Sequence, residues 1–401
     1  MNTPALLAVD DALGQLLTLA ERAPLDAVET LGLADAEGRV LAGDVVAIVD
    51  APAWSNSAMD GYAFNLVDAI GFPLPVSQTV FAGQAGEPLA PGTCARIFTG
   101  APIPQGANCV QMQENCTVLE DGRIAVQGTL REGANIRQQG SETAVGQLLL
   151  GKGTVLSPIA LGVLACQGIY RVSVVRSLKV ALLSTGNELV GEGEVPAPGQ
   201  IHDSNRVVLQ SLLQRMGCDV IDLGKVNDEL ALIRAALERA GNADLIISSG
   251  GVSVGDADCI GSLLREAGEV LMWKLAIKPG KPFTFAHFNG VPFIGLPGNP
   301  GSSLVTFLML ARPYILRRMG RTRVEQMRLP VVCGFDWPRA GRRQEYLRVS
   351  IEQGRAVLQP NQSSGTLLSA TWADGLLEVP VGTTFKAGDS LDFIPFASLL
   401  A

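Results

Sequence analysis

Apolar positions recur at helical spacing near the start of the chain. Leu13, Leu16, Leu17 and Ala20 fall at i, i+3, i+4 and i+7; Asp10 or Asp11 can cap the helix they predict, and Pro24 follows its end. A second helix is predicted over about 157–168. Ser157 caps it, Pro158 sits in its first turn, Leu161, Leu164 and Ala165 share a face, and Gly168 stops it. Between the two, short β-like runs such as CARIFTG and RIAVQGT are punctuated by glycine and proline. Residues 45–144 therefore read as a β-rich insertion, and the flanks 1–44 and 145–176 as one discontinuous helical and linking domain.

From 177 to 326 strand and helix patterns alternate. KVALLST, DVIDLGKV and DLIISS read as buried strands, and DSNRVVLQSLLQRMG as a helix ending at Gly217. DELALIRAALERAG reads as a helix capped by Asp228 and stopped by Gly241. This rhythm predicts βαβ units and a mostly parallel sheet. FTFAHF and VPFIGL flank Asn289 and Gly290, the signature of a hairpin with a type I′ turn. PGSSLVTFLMLARPYILRRMG predicts a long helix with a kink at Pro313. Over 327–401 short alternating runs, among them LPVVCGF, EYLRVSIE and GLLEVPVG, predict a small all-β domain.

Composition narrows the classes. The 401 residues are 47% hydrophobic and 17% charged, enough for several cores. No apolar stretch reaches the ~18 residues of a membrane span, and the N-terminal segment lacks a basic region. A soluble, cytoplasmic protein with no membrane partner is expected. Lysine and arginine total 31 against 39 acidic residues, a net charge of −8, which argues against a duplex nucleic-acid partner. Seven scattered cysteines without a C-x-x-C pair read as reduced thiols. With only His202 and His287, Ser-His-Asp triads and multi-histidine metal centres are disfavoured. His287 lies inside a hairpin strand and His202 adjoins Asp203 at a helix start, so both read as structural. Chemistry must then rest on carboxylates, lysines, backbone amides and an oxygen-loving cation such as Mg²⁺.

Four times between 179 and 303 an apolar run opens into a small-residue loop: LLSTGNE (182–188), ISSGGVSVGDAD (247–258), AIKPGKP (276–282) and GLPGNPGSS (295–303). Open α/β sheets build ligand sites in such loops at the carboxyl ends of their strands. Glycine allows close backbone approach, and N–H groups at a helix start favour anions. Glu188, Asp256 and Asp258 suggest a metal or phosphate role, and Lys278 and Lys281 flank a stiff Pro279-Gly280 turn suited to an oxyanion. Asp228 serves equally well as a helix cap. Asp60, in a compact turn after Pro52, is either a turn aspartate or a carboxylate presented at a cleft.

In order along the chain, NSAMDGYA (56–63), TGAPIPQGA (99–107), NIRQQG (135–140), STGNEL (184–189), GQIHDSN (199–205), SSGGVSVGDAD (248–258), KLAIKPGKP (274–282) and LPGNP (296–300) resemble the molybdopterin molybdenumtransferase family, which includes MoeA and the E domain of gephyrin. The resemblance covers essentially the whole chain. It implies an elongated homodimer of four-domain subunits: a central MogA-like α/β domain, the β-rich insertion, the helical linking domain and a small C-terminal β-barrel. The implied reaction joins molybdate to adenylylated molybdopterin, releasing AMP with the help of Mg²⁺ and yielding molybdenum cofactor. Molybdopterin adenylyltransferase and molybdoenzymes or their chaperones are then candidate partners. Two alternatives stay open: a molybdopterin adenylyltransferase, and a non-enzymatic scaffold of the gephyrin kind.

The resemblance also assigns residues. Thr185, Gly186, Ser249, Gly250, Gly251, Val252, Ser253, Gly255 and Asp256 would contact nucleotide and pyrophosphate, with Pro297, Gly298, Asn299 and Pro300 completing the substrate loops. Glu188 and Asp258 would hold the metal, with Asp228 nearby. Lys274, Lys278 and Lys281 would face the pterin phosphate and the oxyanion, and Arg348, Ser363 and Ser364 the molybdate. Asp60, Thr99 and Glu142 would come from the partner subunit. The chain departs from the family at Ser141-Glu142, where relatives usually read Glu-Asp, and at Asn187, where many have aspartate.

Overall fold

Residues 6–69, 73–251, 259–267 and 270–400 are described by a computed structural model. Helix α1 (Val9–Arg22) buries Val9, Ala12, Leu16 and Ala20 along one stripe. Neither aspartate caps it. Ala8 occupies the cap, while Asp10 and Asp11 lie in the first turn, where the helix dipole favours negative charge. Helix α2 (Pro158–Cys166) starts as its sequence predicts: the Ser157 hydroxyl accepts the Ala160 N–H at 3.2 Å. Gly168, with φ of 72°, lies just past its end.

The two flanks of the insertion are stitched together in antiparallel fashion. Val28–Gly32 pairs with Arg171–Val175, and Val45–Val46 with Leu148–Leu150. Between them stands a four-stranded sheet, Val76–Val80, Cys94–Ile97, Gly61–Phe64 and Cys109–Met112 in spatial order, with its own core around Phe64, Leu74 and Ile97.

The central domain runs β1 (Lys179–Thr185), α3 (Ser204–Arg215), β2 (Asp219–Val226), α4 (Leu230–Arg239), β3 (Leu245–Ser249), α5 (Cys259–Ala267), β4 (Val270–Lys274), β5 (Pro282–Phe288) and β6 (Val291–Leu296). Its sheet has the order β2-β1-β3-β6-β5-β4, parallel through β6 and antiparallel beyond. Val180 and Leu182 pack into the core beneath α3; Ala181 and Leu183 pack into the one beneath α4 and α5. Burial on both faces explains the unbroken apolar runs Val180–Leu183 in β1 and Leu245–Ile247 in β3. Asn289 and Gly290 both have positive φ, 49° and 83°, as a type I′ turn requires.

Two local expectations are corrected. Asp228 does not cap α4: Glu229 holds the cap position without a side-chain bond, and Asp228 is left beside Glu188. The long C-terminal helix of this domain is interrupted by a π segment, Phe307–Ala311, which ends two residues before Pro313. The Arg312 N–H reaches back five residues to the Phe307 carbonyl. In an unbroken α-helix the Met309 carbonyl would take its proton from residue 313, which is proline. Buried Gln326 donates to it instead, at 3.3 Å.

Beyond residue 328, five strands close into a barrel: Gln344–Glu352, Arg355–Leu358, Leu329–Cys333, Ser390–Pro395 and Gly375–Val379, the last returning to the first. Ile277–Lys278, from the central domain, pairs in parallel with the start of the first barrel strand. All seven cysteines are free, and burial pushes the Cys94 and Cys218 thiols up to about 12. Among the described residues, no helix is long and apolar enough to cross a membrane.

Candidate functional site

The carboxyl ends of β1, β3 and β6 converge on a cleft of about 450 Å³. Thr185 and Glu188 line it from the loop after β1, Ser249 and Gly250 from β3, and Gly298, Asn299 and Pro300 from the loop after β6. Ile201, His202, Asp203, Ser204 and Asn205 form a further wall, and Gly365 reaches in from the C-terminal region. Three of the four sequence loops thus meet, as the strand-end rule anticipates.

Close packing fixes their shape. Gly250 has φ of +86°, and a Cβ there would lie 2.5 Å from the Thr185 carbonyl oxygen. A Cβ on Gly251 would meet the Thr185 hydroxyl at 2.5 Å, and one on Gly186 would meet the Glu188 carboxylate at 2.6 Å. Only glycine lets the backbone at 250 lie so close to the Thr185 backbone. Asn205, buried at the start of α3, donates to the Ser249 hydroxyl and to the Gly298 carbonyl, both at 2.7 Å. This one amide staples two of the loops. Sequence reading gave Asn205 no role, although it closes the GQIHDSN segment; His202, read as structural, lies on the cleft wall.

Electrostatically the described lining is acidic. Glu188 and Asp203 are its carboxylates, and it contains no lysine or arginine. Asp203 is committed elsewhere, accepting the Arg206 N–H at 3.0 Å as the cap of α3. Asp228 stands near Glu188, and its carboxyl is held above the usual range. Burial is the largest cause, the Asn187 backbone N–H opposes it, and the Glu188 charge adds to it. The Asn187 side chain accepts the Asp228 N–H at 3.1 Å, so asparagine here braces the loop. Neighbouring carboxylates with no cation among the described lining suit a hard divalent ion completed by ligand oxygens. Among the described residues there is no cluster of three such ligands. Val252, Ser253, Gly255, Asp256 and Asp258 lie outside the described residues.

The other sequence candidates fall in three places. Asp60 and Thr99 meet on the surface of the insertion: one Asp60 oxygen accepts the Thr99 N–H at 2.7 Å and its hydroxyl at 2.8 Å. Those two bonds hold the Asp60 carboxyl below its usual range, with the Arg96 charge a smaller contribution. Glu142 is exposed on the strap beside Ala51, to whose carbonyl its N–H donates at 2.9 Å. Neither Asp60 nor Glu142 lines the cleft of its own chain. Pro297 belongs to the loop that carries Gly298. Arg348 is only 2% exposed and anchors the barrel loop, donating to the Ser363 carbonyl at 3.0 Å and the Thr366 carbonyl at 3.3 Å. One of its terminal nitrogens is buried without a hydrogen-bond partner among the described residues. Ser364 accepts from the Asn299 amide at 3.3 Å, and its carbonyl takes the Gly301 N–H at 2.8 Å, so the Arg348 loop abuts the cleft. The exposed Ser363 hydroxyl accepts the Gly365 N–H at 3.3 Å. Lys278 and Lys281 are exposed on the KPGKP loop and Lys274 is half-buried; none of the three lines the cleft.

An α/β sheet with an acidic strand-end cleft, a separate β-rich insertion and a barrel at the cleft's edge define a multidomain architecture. Models of the MoeA N-terminal region (domains I and II), of the probable molybdopterin binding domain and of the MoeA C-terminal region (domain IV) match residues 7–168, 181–317 and 330–396. A protein of Haemophilus influenzae named molybdopterin molybdenumtransferase is 38% identical, over 98% of this chain and all of its own. One of the same name from Nostoc is 36% identical over 89% of this chain and 86% of its own. The crystal structure of a molybdopterin biosynthesis MoeA protein from Pyrococcus horikoshii superposes with a TM-score of 0.85 at 27% identity, covering 98% of this chain and 100% of that one. The chain belongs to the MoeA family.

Proposed function

We propose that the protein inserts molybdenum into molybdopterin, taking molybdate and adenylylated molybdopterin to molybdenum cofactor and AMP. The observation that carries this reading is the make-up of the cleft. Backbone and hydroxyl groups of three close-packed loops meet in it, Glu188 lines it with Asp228 nearby, and no lysine or arginine is among the described lining. Phosphate groups enter such a cleft favourably only with a metal ion to bridge the like charges.

Glu188 and Asp228 would hold Mg²⁺, with Asp258 the further candidate. When bound, Mg²⁺ would neutralise charge on the departing nucleotide. The chain's own residues supply position. The stapled loops fix the backbone around the phosphates, and Lys274, Lys278 and Lys281 hold the pterin phosphate and the oxyanion. Arg348, Ser363 and Ser364 present the barrel loop for molybdate. Fixed donors in a sheltered cleft, not a protein nucleophile, serve an addition between two anions.

A homodimer completes the picture. The helix α2 is apolar on every side, yet only Ala160 and Leu164 are buried, and Ile159 is 81% exposed. A face of that kind is covered by a second copy in the reading we favour, with Asp60, Thr99 and Glu142 delivered to the partner's cleft. Incubating purified protein with molybdate, Mg²⁺ and adenylylated molybdopterin tests the function. The expected result is equal yields of AMP and active cofactor, both dependent on molybdate and Mg²⁺; AMP-transfer in the reverse sense, or binding without turnover, would overturn it.

A further inference from the structure

We propose that Glu345 is a positioning residue that aims the Lys278 ammonium at the oxyanion; this rests on the reading of Lys278 given above. The two residues belong to different domains that share backbone hydrogen bonds. Ile277 and Lys278 pair with Gln344 and Glu345, the Gln344 N–H donates to the Ala276 carbonyl at 2.8 Å, and Arg343 donates to the Ile277 carbonyl at 3.3 Å. Across this seam Lys278 Nζ donates to Glu345 Oε2 at 2.9 Å.

The burial is lopsided. The Glu345 side chain is 6% exposed and that of Lys278 49%. A carboxylate so enclosed is costly to leave without a cation, so the lysine stays tethered and does not sweep through solvent. An ammonium carries three donors, and the tether occupies one. The others remain on the open side, their direction set by a carboxylate that the barrel holds rigid. A free lysine would have to surrender its rotamer freedom on each capture of ligand; this one has surrendered it on folding. The opposite effect is the repulsion that a nearby carboxylate exerts on an anion. Pairing at 2.9 Å makes orientation the stronger effect, because that charge is already opposed by the ammonium it holds.

The test is a double-mutant cycle on the full-length protein in the molybdate-dependent reaction. Glu345→Gln is expected to raise the apparent KM for molybdate about five- to tenfold while kcat stays within about twofold, with Glu345→Asp recovering part of the loss. Lys278→Ala should raise the same KM, and adding Glu345→Gln to it should change nothing further. Thermal melts of all variants establish that each is folded. Tighter molybdate capture in Glu345→Gln, no change, or the same loss in both backgrounds would overturn the positioning role. An unchanged molybdate KM in Lys278→Ala would instead sink the underlying reading of the lysine.

Discussion

At the scale of single residues, Asp228 shows how a site feature registers as stability. Its carboxyl is held above the ordinary value of 3.8 by burial and by Glu188. The folded state therefore binds this proton more tightly than the unfolded chain does. The associated stability is fully present below the ordinary value and is lost as pH rises through the folded one. At neutral pH the ionised form is a net cost, kept small by its partial exposure. Asp228→Asn should raise the thermal midpoint at pH 7 by roughly 1–3 °C, and the gain should shrink as the pH is lowered towards 4. Melting curves across that range check it, and a loss of stability at pH 7 would contradict it. Cofactor synthesis should fall in the same variant, since the proposed metal loses a ligand. Much at this scale was legible: Glu188, Gly250 and Asn299 stand where small-residue loops after apolar runs put them. Asn205 was not, because an asparagine in the first turn of a helix looks like any local cap until its partners from two other strands are known.

At the scale of elements, periodicity located the helices and the buried strands well, and their ends less well. The α1 cap failed because Asp10 and Asp11 improve the first turn as charges without occupying the cap. The π segment was foreshadowed only by Pro313. The sequence marks a missing donor but not the side chain that replaces it, here thirteen residues further on, at Gln326. Gln326→Leu should remove the side-chain donor to the buried Met309 carbonyl, costing about 1–3 kcal/mol by chemical denaturation. In a Pro313→Ala background, where residue 313 again has an N–H, the same change should cost measurably less. Equal costs in both backgrounds would mean that Gln326 stabilises the helix in some other way.

At the scale of the whole molecule, an all-β C-terminal domain and the central sheet could be anticipated from pattern, but the distribution of one site over several surfaces could not. Asp60 and Thr99 form a finished pair far along the chain from the cleft, and nothing in their spacing says which cleft they serve. Complementation decides it. Asp60→Ala and Glu188→Ala homodimers should each be inactive, whereas a mixed dimer has one cleft with both lesions and one with neither. Mixing under exchange conditions should restore up to about half of wild-type activity per heterodimer, by two-fold symmetry. Demonstrated heterodimers that remain inactive, beside wild-type dimers that survive the treatment, would exclude independent shared clefts.

The antiparallel stitch between Val28–Gly32 and Arg171–Val175 also sets a timetable for synthesis. The first of these strands leaves the ribosome about 140 residues before its mate, and at ~5–20 residues per second that is a wait of roughly 7–28 s. The intervening insertion, with its own core, can finish folding within that interval. The earlier of the two strands must therefore stay open-edged while later-made structure matures around it, and the linking domain begins before the insertion and closes after it.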